Sequence, residues 1–160
     1  LRWLPSFLVR LHYSPERLAK LIYCDFQPRC ESAWINLGEA ASVRLTLQII
    51  NLSPFPVEID KANFRFLCGG ATINLPLLRR VQFEPGEQTS IIVDQAIPDG
   101  HANQVAINSE NPQAWLDGNI DFNCKVHSFA KDIAYLSGVQ LTIVNRDYRL
   151  KRQMTAEALQ

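Results

Sequence analysis

Residues 42–50, SVRLTLQII, decide how this chain is read. Val43, Leu45, Leu47 and Ile49 alternate with Arg44, Thr46 and Gln48, a period of two that sends aliphatic side chains to one face and polar ones to the other. The stretch is therefore a β-strand with one wet face. NLSPFP at 51–56 reads as a turn, after which the alternation resumes. Ala62, Phe64, Phe66 and Cys68 alternate with Asn63, Arg65 and Leu67 up to Gly69-Gly70, a hairpin signal. Ile73, Leu75 and Leu77 make a further strand, continued by Val81 and Phe83 past an irregularity at Pro76. EPGE at 84–87 turns the chain into Thr89, Ile91 and Val93.

Residues 98–113, rich in Pro, Gly, Asn and Ser, read as a long connection holding a short helix or edge strand around Val105 and Ile107. Ile120, Phe122, Cys124 and Val126 alternate with Asp121, Asn123, Lys125 and His127, with a bulge at Gly118. Ile133, Tyr135, Val139, Leu141 and Ile143 form the last run. Six or seven strands with turn signals every 8–12 residues, and no helical patterns between them, predict an all-β fold: an immunoglobulin-like antiparallel β-sandwich spanning 41–147.

The first forty residues have a different texture and are expected to be an N-terminal helical or juxtamembrane segment. Ser14 can cap a helix, Pro15 suits its first position and Glu16 its first turn, so the spacing of Leu18, Leu21, Ile22 and Phe26 predicts a helix over 15–25. Before it, Trp3, Leu4, Phe7, Leu8 and Leu11 form an apolar stripe at helical spacing, with Arg2 and Arg10 at its margins. Residues 148–160 read as a basic tail or the start of a helix. The sequence begins without Met and ends in TAEALQ, as a piece cut from a longer protein would.

Composition excludes several functions. The chain has 160 residues, 47% hydrophobic and 20% charged, enough for one buried core. Sixteen Lys+Arg balance sixteen Asp+Glu, so no excess of positive charge marks a nucleic-acid binder, and no nucleic-acid partner is expected. Cys24, Cys30, Cys68 and Cys124 form no CxxC pair, and free thiols without a metal are expected. His12, His101 and His127 lie in separate regions, and neither a zinc-protease helix nor a GxSxG elbow occurs. Asp117 and Asp121 flank the bulge rather than forming an acid/base pair. No cofactor and no catalytic residue is expected.

The order of these features resembles the water-stress and hypersensitive-response (WHy) domain of late embryogenesis abundant proteins. The resemblance runs over about 41–145, through VRLTLQIINLSPFPVEI, FRFLCGGATI, LRRVQFEPGEQTSIIV and WLDGNIDFNCKV. Asn51 matches the start of that family's first turn, Gly70 its hairpin, Pro85-Gly86 its third signal and Gly118 its fourth. Leu52-Ser53-Pro54 departs from it, standing where the family has Pro-Asn. The resemblance implies a non-enzymatic immunoglobulin-like sandwich near membranes, with a role in stress response, and supplies no catalytic residue.

Two functions are expected on this basis. The first is a binding or scaffolding domain, membrane-associated or part of a larger assembly, whose contact with a membrane surface or protein partner is the stripe Trp3, Leu4, Phe7, Leu8 and Leu11, self-association following from it. The alternative is a sandwich that binds a small apolar ligand or lipid in a cavity lined by Phe64, Phe122 and Tyr135. The expected core comprises Val43, Leu45, Leu47, Phe64, Phe66, Ile91, Val93, Ile120, Phe122, Val126, Leu141 and Ile143. Truncating Phe122 to Ala is expected to cost about 3–5 kcal/mol, through lost burial and the cavity left behind, as read from urea unfolding.

Overall fold

The computed structural model describes residues 5–110 and 113–158, apart from the side chains of Cys30 and Tyr135. The described chain runs α1 (Ser6–His12), α2 (Pro15–Leu21), β1 (Ile22–Asp25), a 3-10 turn (Pro28–Cys30), β2 (Ala33–Asn36), β3 (Ser42–Asn51), β4 (Val57–Cys68), β5 (Ala71–Leu77), β6 (Val81–Phe83) and β7 (Gln88–Ala96). It continues through α3 (Asp99–Ile107), β8 (Ala114–Cys124), β9 (Ser128–Ser137), β10 (Leu141–Val144) and α4 (Arg146–Ala158).

Two sheets carry the fold. In the first, β7 lies along one edge of β3, while β1 and β2 share the other, pairing with 48–51 and 42–44 respectively; β10 extends the sheet beyond β2. The second has the order β5-β4-β8-β9, with β6 beside the start of β4. The inner faces follow the period-two reading: Val43, Leu45, Leu47, Ile49, Ile91 and Val93 are buried from one sheet, Phe64, Phe66, Ile120 and Phe122 from the other. Phe122 stacks on Phe129 of β9 at 5.2 Å, and Phe26 meets Phe64 edge-on at 5.0 Å.

Glycine at the Gly118 bulge is required by sterics. Gly118 lies opposite Phe64, and a Cβ there would run into the Asn63 carbonyl and lie 2.8 Å from the Phe64 Cα. Only glycine lets the two backbones approach so closely. At the β4–β5 hairpin, Gly69 has φ +56°, and a Cβ on it would sit 3.0 Å from the Cα of Val105 in α3, which packs over the hairpin.

Several sequence expectations are corrected. The helix expected over 15–25 ends at Leu21, because Ile22–Asp25 pair with Gln48–Asn51 as β1. Backbone pairing prevails over helical spacing there, and Leu18, Ile22 and Phe26 are still buried. The stretch 1–40, read as helical, supplies both β1 and β2. Helices are not confined to one short N-terminal segment: the 98–113 connection takes the helical one of its two expected forms, α3, burying Ala102, Val105 and Ala106, and the C-terminal stretch after β10 is the helix α4 rather than a tail. The sandwich is not wholly antiparallel, since β10 runs parallel to β2, pairing Leu141 with Ala33 and Val144 with Asn36. The final alternating run is two strands in different sheets, β9 and β10, divided at Gly138 with φ +69°. Val126 lies in the turn after β8 and, like Leu141 and Ile143, is only half-buried.

α4 is held by one buried cation. The Arg149 side chain is 2% exposed, and its guanidinium donates to the Leu37 carbonyl at 3.2 Å, the Gly38 carbonyl at 2.5 Å and the Asp99 carboxylate at 2.6 Å. Arg146 donates to the Ala106 carbonyl at 3.0 Å. The Arg149 hydrogen bond and charge hold the Asp99 carboxyl below its ordinary value of 3.8. Because this pKa is depressed in the folded state, the pair contributes fully above about pH 4 and is lost as pH falls through the lower folded value. Asp99→Asn is therefore expected to be less stable than the parent near neutral pH, the difference shrinking as pH falls below about 4, in thermal melts followed by circular dichroism.

Candidate functional site

α1 is short, and its sequence gives it no inward face. Pro5 precedes it with φ −54° and its carbonyl accepts from Leu8 N at 3.0 Å, which starts the helix; Tyr13 N closes it on the Val9 carbonyl at 3.0 Å. No residue of α1 is buried. Phe7 is 65% exposed, Leu8 40% and Leu11 78%. Their i, i+3 and i+4 spacing puts the three on one face, while Val9, half-buried, lies off it. Trp3 and Leu4, the other members of the stripe, lie outside the described residues. The structure thus brings Phe7, Leu8 and Leu11 together on one exposed surface.

The C-terminal end of α1 is anchored to the body by Tyr13, Arg17 and His127. Tyr13 meets Phe55 edge-on at 5.0 Å, and the Arg17 guanidinium sits 5.4 Å over the Tyr13 ring. A ring nitrogen of His127 lies 3.2 Å from the Arg10 carbonyl at the negative end of the helix. His127, expected to point outward from a strand, occupies the turn between β8 and β9 and is half-buried. Leu52, 59% exposed, stands on the same turn as Phe55. Arg10 lies on α1 itself, and the Arg17 guanidinium donates to the His12 carbonyl at its end, 3.2 Å away.

The groups considered for chemistry are otherwise engaged. Asp117 takes a two-pronged bond from Arg65 at 2.8 and 2.6 Å, which holds its carboxyl low, and Asp121 pairs with Lys61 at 3.5 Å. No Lys or Arg falls between Arg80 and Lys125, where Glu84, Glu87, Asp94, Asp99, Glu110, Asp117 and Asp121 stand, yet Asp94 meets Arg44 and Glu110 meets Arg146, so much of that acidic stretch is balanced by cations from other elements. Phe64 and Phe122, expected to line a ligand cavity, are buried and in ring contact with Phe26 and Phe129. Among the described residues, no group of three or more His, Cys, Asp and Glu lies together as a metal ion would require. No helix among them is long and apolar enough to cross a membrane.

No family model matches the chain, and no curated protein matches it. Solved structures do. A structural-genomics target, SoR45, aligns with TM-score 0.53 at 9% identity, over 75% of this chain and 87% of its own. A Bordetella pertussis protein provisionally named ApaA aligns with TM-score 0.47 at 12% identity, over 75% and 89%. An Arabidopsis thaliana protein solved in solution gives 0.45 at 11%, over 77% and 81%. At such identities the likeness to SoR45 bears on the fold alone.

Cys24, Cys68 and Cys124 are free thiols. Burial pushes Cys24 and Cys68 up to about 11, the nearby Lys131 ammonium only partly opposing this at Cys24. Their thiolate fraction near neutral pH is correspondingly small, and thiolate is the reactive form. In the native protein Cys24 and Cys68 are expected to react with iodoacetamide far more slowly than in denaturant. All four cysteines are expected to be alkylated in denaturant without reductant, as counted by mass spectrometry.

Proposed function

We propose that this chain is a non-enzymatic binding domain of immunoglobulin-like type, which uses the exposed face of α1 to dock onto a membrane surface. One observation carries the reading: α1 buries none of its residues, yet presents Phe7, Leu8 and Leu11 together to solvent. A seven-residue helix is too short to be stable by itself in water, so its apolar face is better accounted for by contact than by helix formation. The aromatic and aliphatic side chains suit the acyl boundary, and Arg10 and Arg17 suit anionic headgroups. Leu52 beside the anchor of α1 adds apolar surface at the same end.

The resemblance to the WHy domain belongs to this reading. Asn51, which that resemblance puts at the start of the first turn, is fully buried and organises the turn through its side-chain amide. A role near membranes under stress, and a protein partner or second copy in place of lipid, stand as extensions of the same contact.

Co-sedimentation with vesicles of phosphatidylcholine and phosphatidylserine tests the reading, comparing the chain with Phe7→Asp/Leu11→Asp. Each side chain removed from water is worth about 1.5–3 kcal/mol at full burial, so the double variant is expected to partition about tenfold or more weakly. Its fold is expected to be unchanged, because neither position is buried. Equal sedimentation of the two proteins, or none by either, overturns membrane docking; capture of a second copy by the parent alone would transfer the contact to self-association.

A further inference from the structure

A second surface, on the outer face of the first sheet, has the features of a built site. Trp34 on β2 is 51% exposed and lies directly across from Arg44 on β3, with Thr142 of β10 on its other side. Arg29, Glu31, Ser32, Trp34, Arg44 and Thr46 enclose an open hollow of about 460 Å³. Trp34 and Arg44 also border a smaller hollow of about 150 Å³, completed by Asn36, Ser42 and Val144. The indole therefore stands between two depressions that follow one another along the sheet, a shape that suits a chain-like ligand.

The polar groups around the indole are held in place. Arg44 donates through Nε and Nη2 to one carboxylate oxygen of Asp94, at 3.0 and 2.7 Å. Ser32 and Thr142 share a hydroxyl bond of 2.5 Å. The turn carrying Arg29 is tied to the entrance of β10 by Gln27, whose side chain donates to the Gln140 carbonyl at 3.2 Å and accepts from Gln140 N at 3.4 Å. Arg29 itself has left-handed backbone, φ +57°, which is costly for a residue with a Cβ. Its guanidinium is exposed and makes no ion pair among the described residues.

Charge selects the ligand class. Arg29 and Arg44 are matched by Glu31 and Asp94, two cations against two carboxylates, so the surface has no net attraction for a polyanion. What remains is a flat aromatic face amid hydroxyls, an amide, a free guanidinium and a carboxylate. The geometry points to a site for a neutral oligosaccharide of flat hexose rings: one ring lays its C–H face on Trp34, and equatorial hydroxyls bond to Arg29, Glu31 and the Ser/Thr hydroxyls. An anionic sugar polymer or single-stranded nucleic acid would instead call for surplus basic residues beside the ring.

Isothermal titration calorimetry of the full chain with cellohexaose as probe tests this. Binding to cellohexaose, little changed by added salt, is expected. Trp34→Ala is expected to weaken it about tenfold or more, Trp34→Tyr to retain most of it, and Arg29→Ala to weaken it severalfold. Leu78→Ala, an exposed position following β5 of the other sheet, serves as the control and is expected to bind like the parent. Absence of binding to cellohexaose overturns the proposal, as does equal affinity of Trp34→Ala. Tighter, strongly salt-dependent binding of a heparin hexasaccharide or a thymidine decamer also overturns it. None of these readouts involves α1, so they succeed or fail independently of membrane docking.

Discussion

Two of the four crossings between the two sheets, β3 to β4 and β6 to β7, meet at the side chain of Asn51. The chain leaves the first sheet at the end of β3 and enters the second at β4; it returns from β6 to β7 through the turn at 84–87. Asn51 donates both amide hydrogens across this gap, to the Phe55 carbonyl at 2.8 Å and the Phe83 carbonyl at 3.3 Å, and its side-chain oxygen accepts from Ser53 N at 3.0 Å and Ser53 Oγ at 2.7 Å. Its backbone bonds the returning turn, N to the Glu87 carbonyl and O from Gly86 N. An amide with two donors and two acceptor sites is thereby fully used inside the protein. A buried polar group in that condition fixes geometry, whereas a partly satisfied one would cost more than an apolar replacement.

The position of α1 follows from that corner. Phe55, whose carbonyl the Asn51 amide holds, is the ring on which Tyr13 packs, and Ser53 completes the turn by accepting at its hydroxyl oxygen from Phe55 N at 3.3 Å. Phe7, Leu8 and Leu11 are thus carried on a short helix whose fixed end is set by the main corner of the sandwich. The Trp34 surface is organised by a different set of contacts, the pairing of β10 with β2 and the Gln27–Gln140 exchange. The molecule therefore has two independent surfaces, one apolar and basic, the other aromatic and electroneutral.

What was legible from residues alone, and what was not, divides along the range of the forces involved. β3, β4, β5, β7 and β8 were readable because each has one buried and one wet face, so the period-two pattern is printed along the chain. The Gly69-Gly70 hairpin and the bulge at Gly118 were readable because backbone geometry there demands glycine. α3 was hard to assign since its buried residues, Ala102, Val105 and Ala106, are small and few, so its amphipathic signal is weak. Arg149 gave no signal, because nothing in a basic stretch says which arginine will be enclosed by carbonyls 111 and 112 residues away.

By itself, then, the sequence determined the local alternation, the turns, the exposed apolar spacing of Phe7, Leu8 and Leu11, and the absence of motif-like chemistry, all properties of neighbours in the chain. Only the tertiary structure decided that Ile22–Asp25 would leave a helical pattern to pair with β3, that β10 would join β2 in parallel, and that Trp34 would stand between two hollows beside Arg29 and Arg44. Each of these depends on hydrogen-bond partners and surfaces supplied by distant segments. Their free energy exists only once the sheets have assembled, and no local propensity records it.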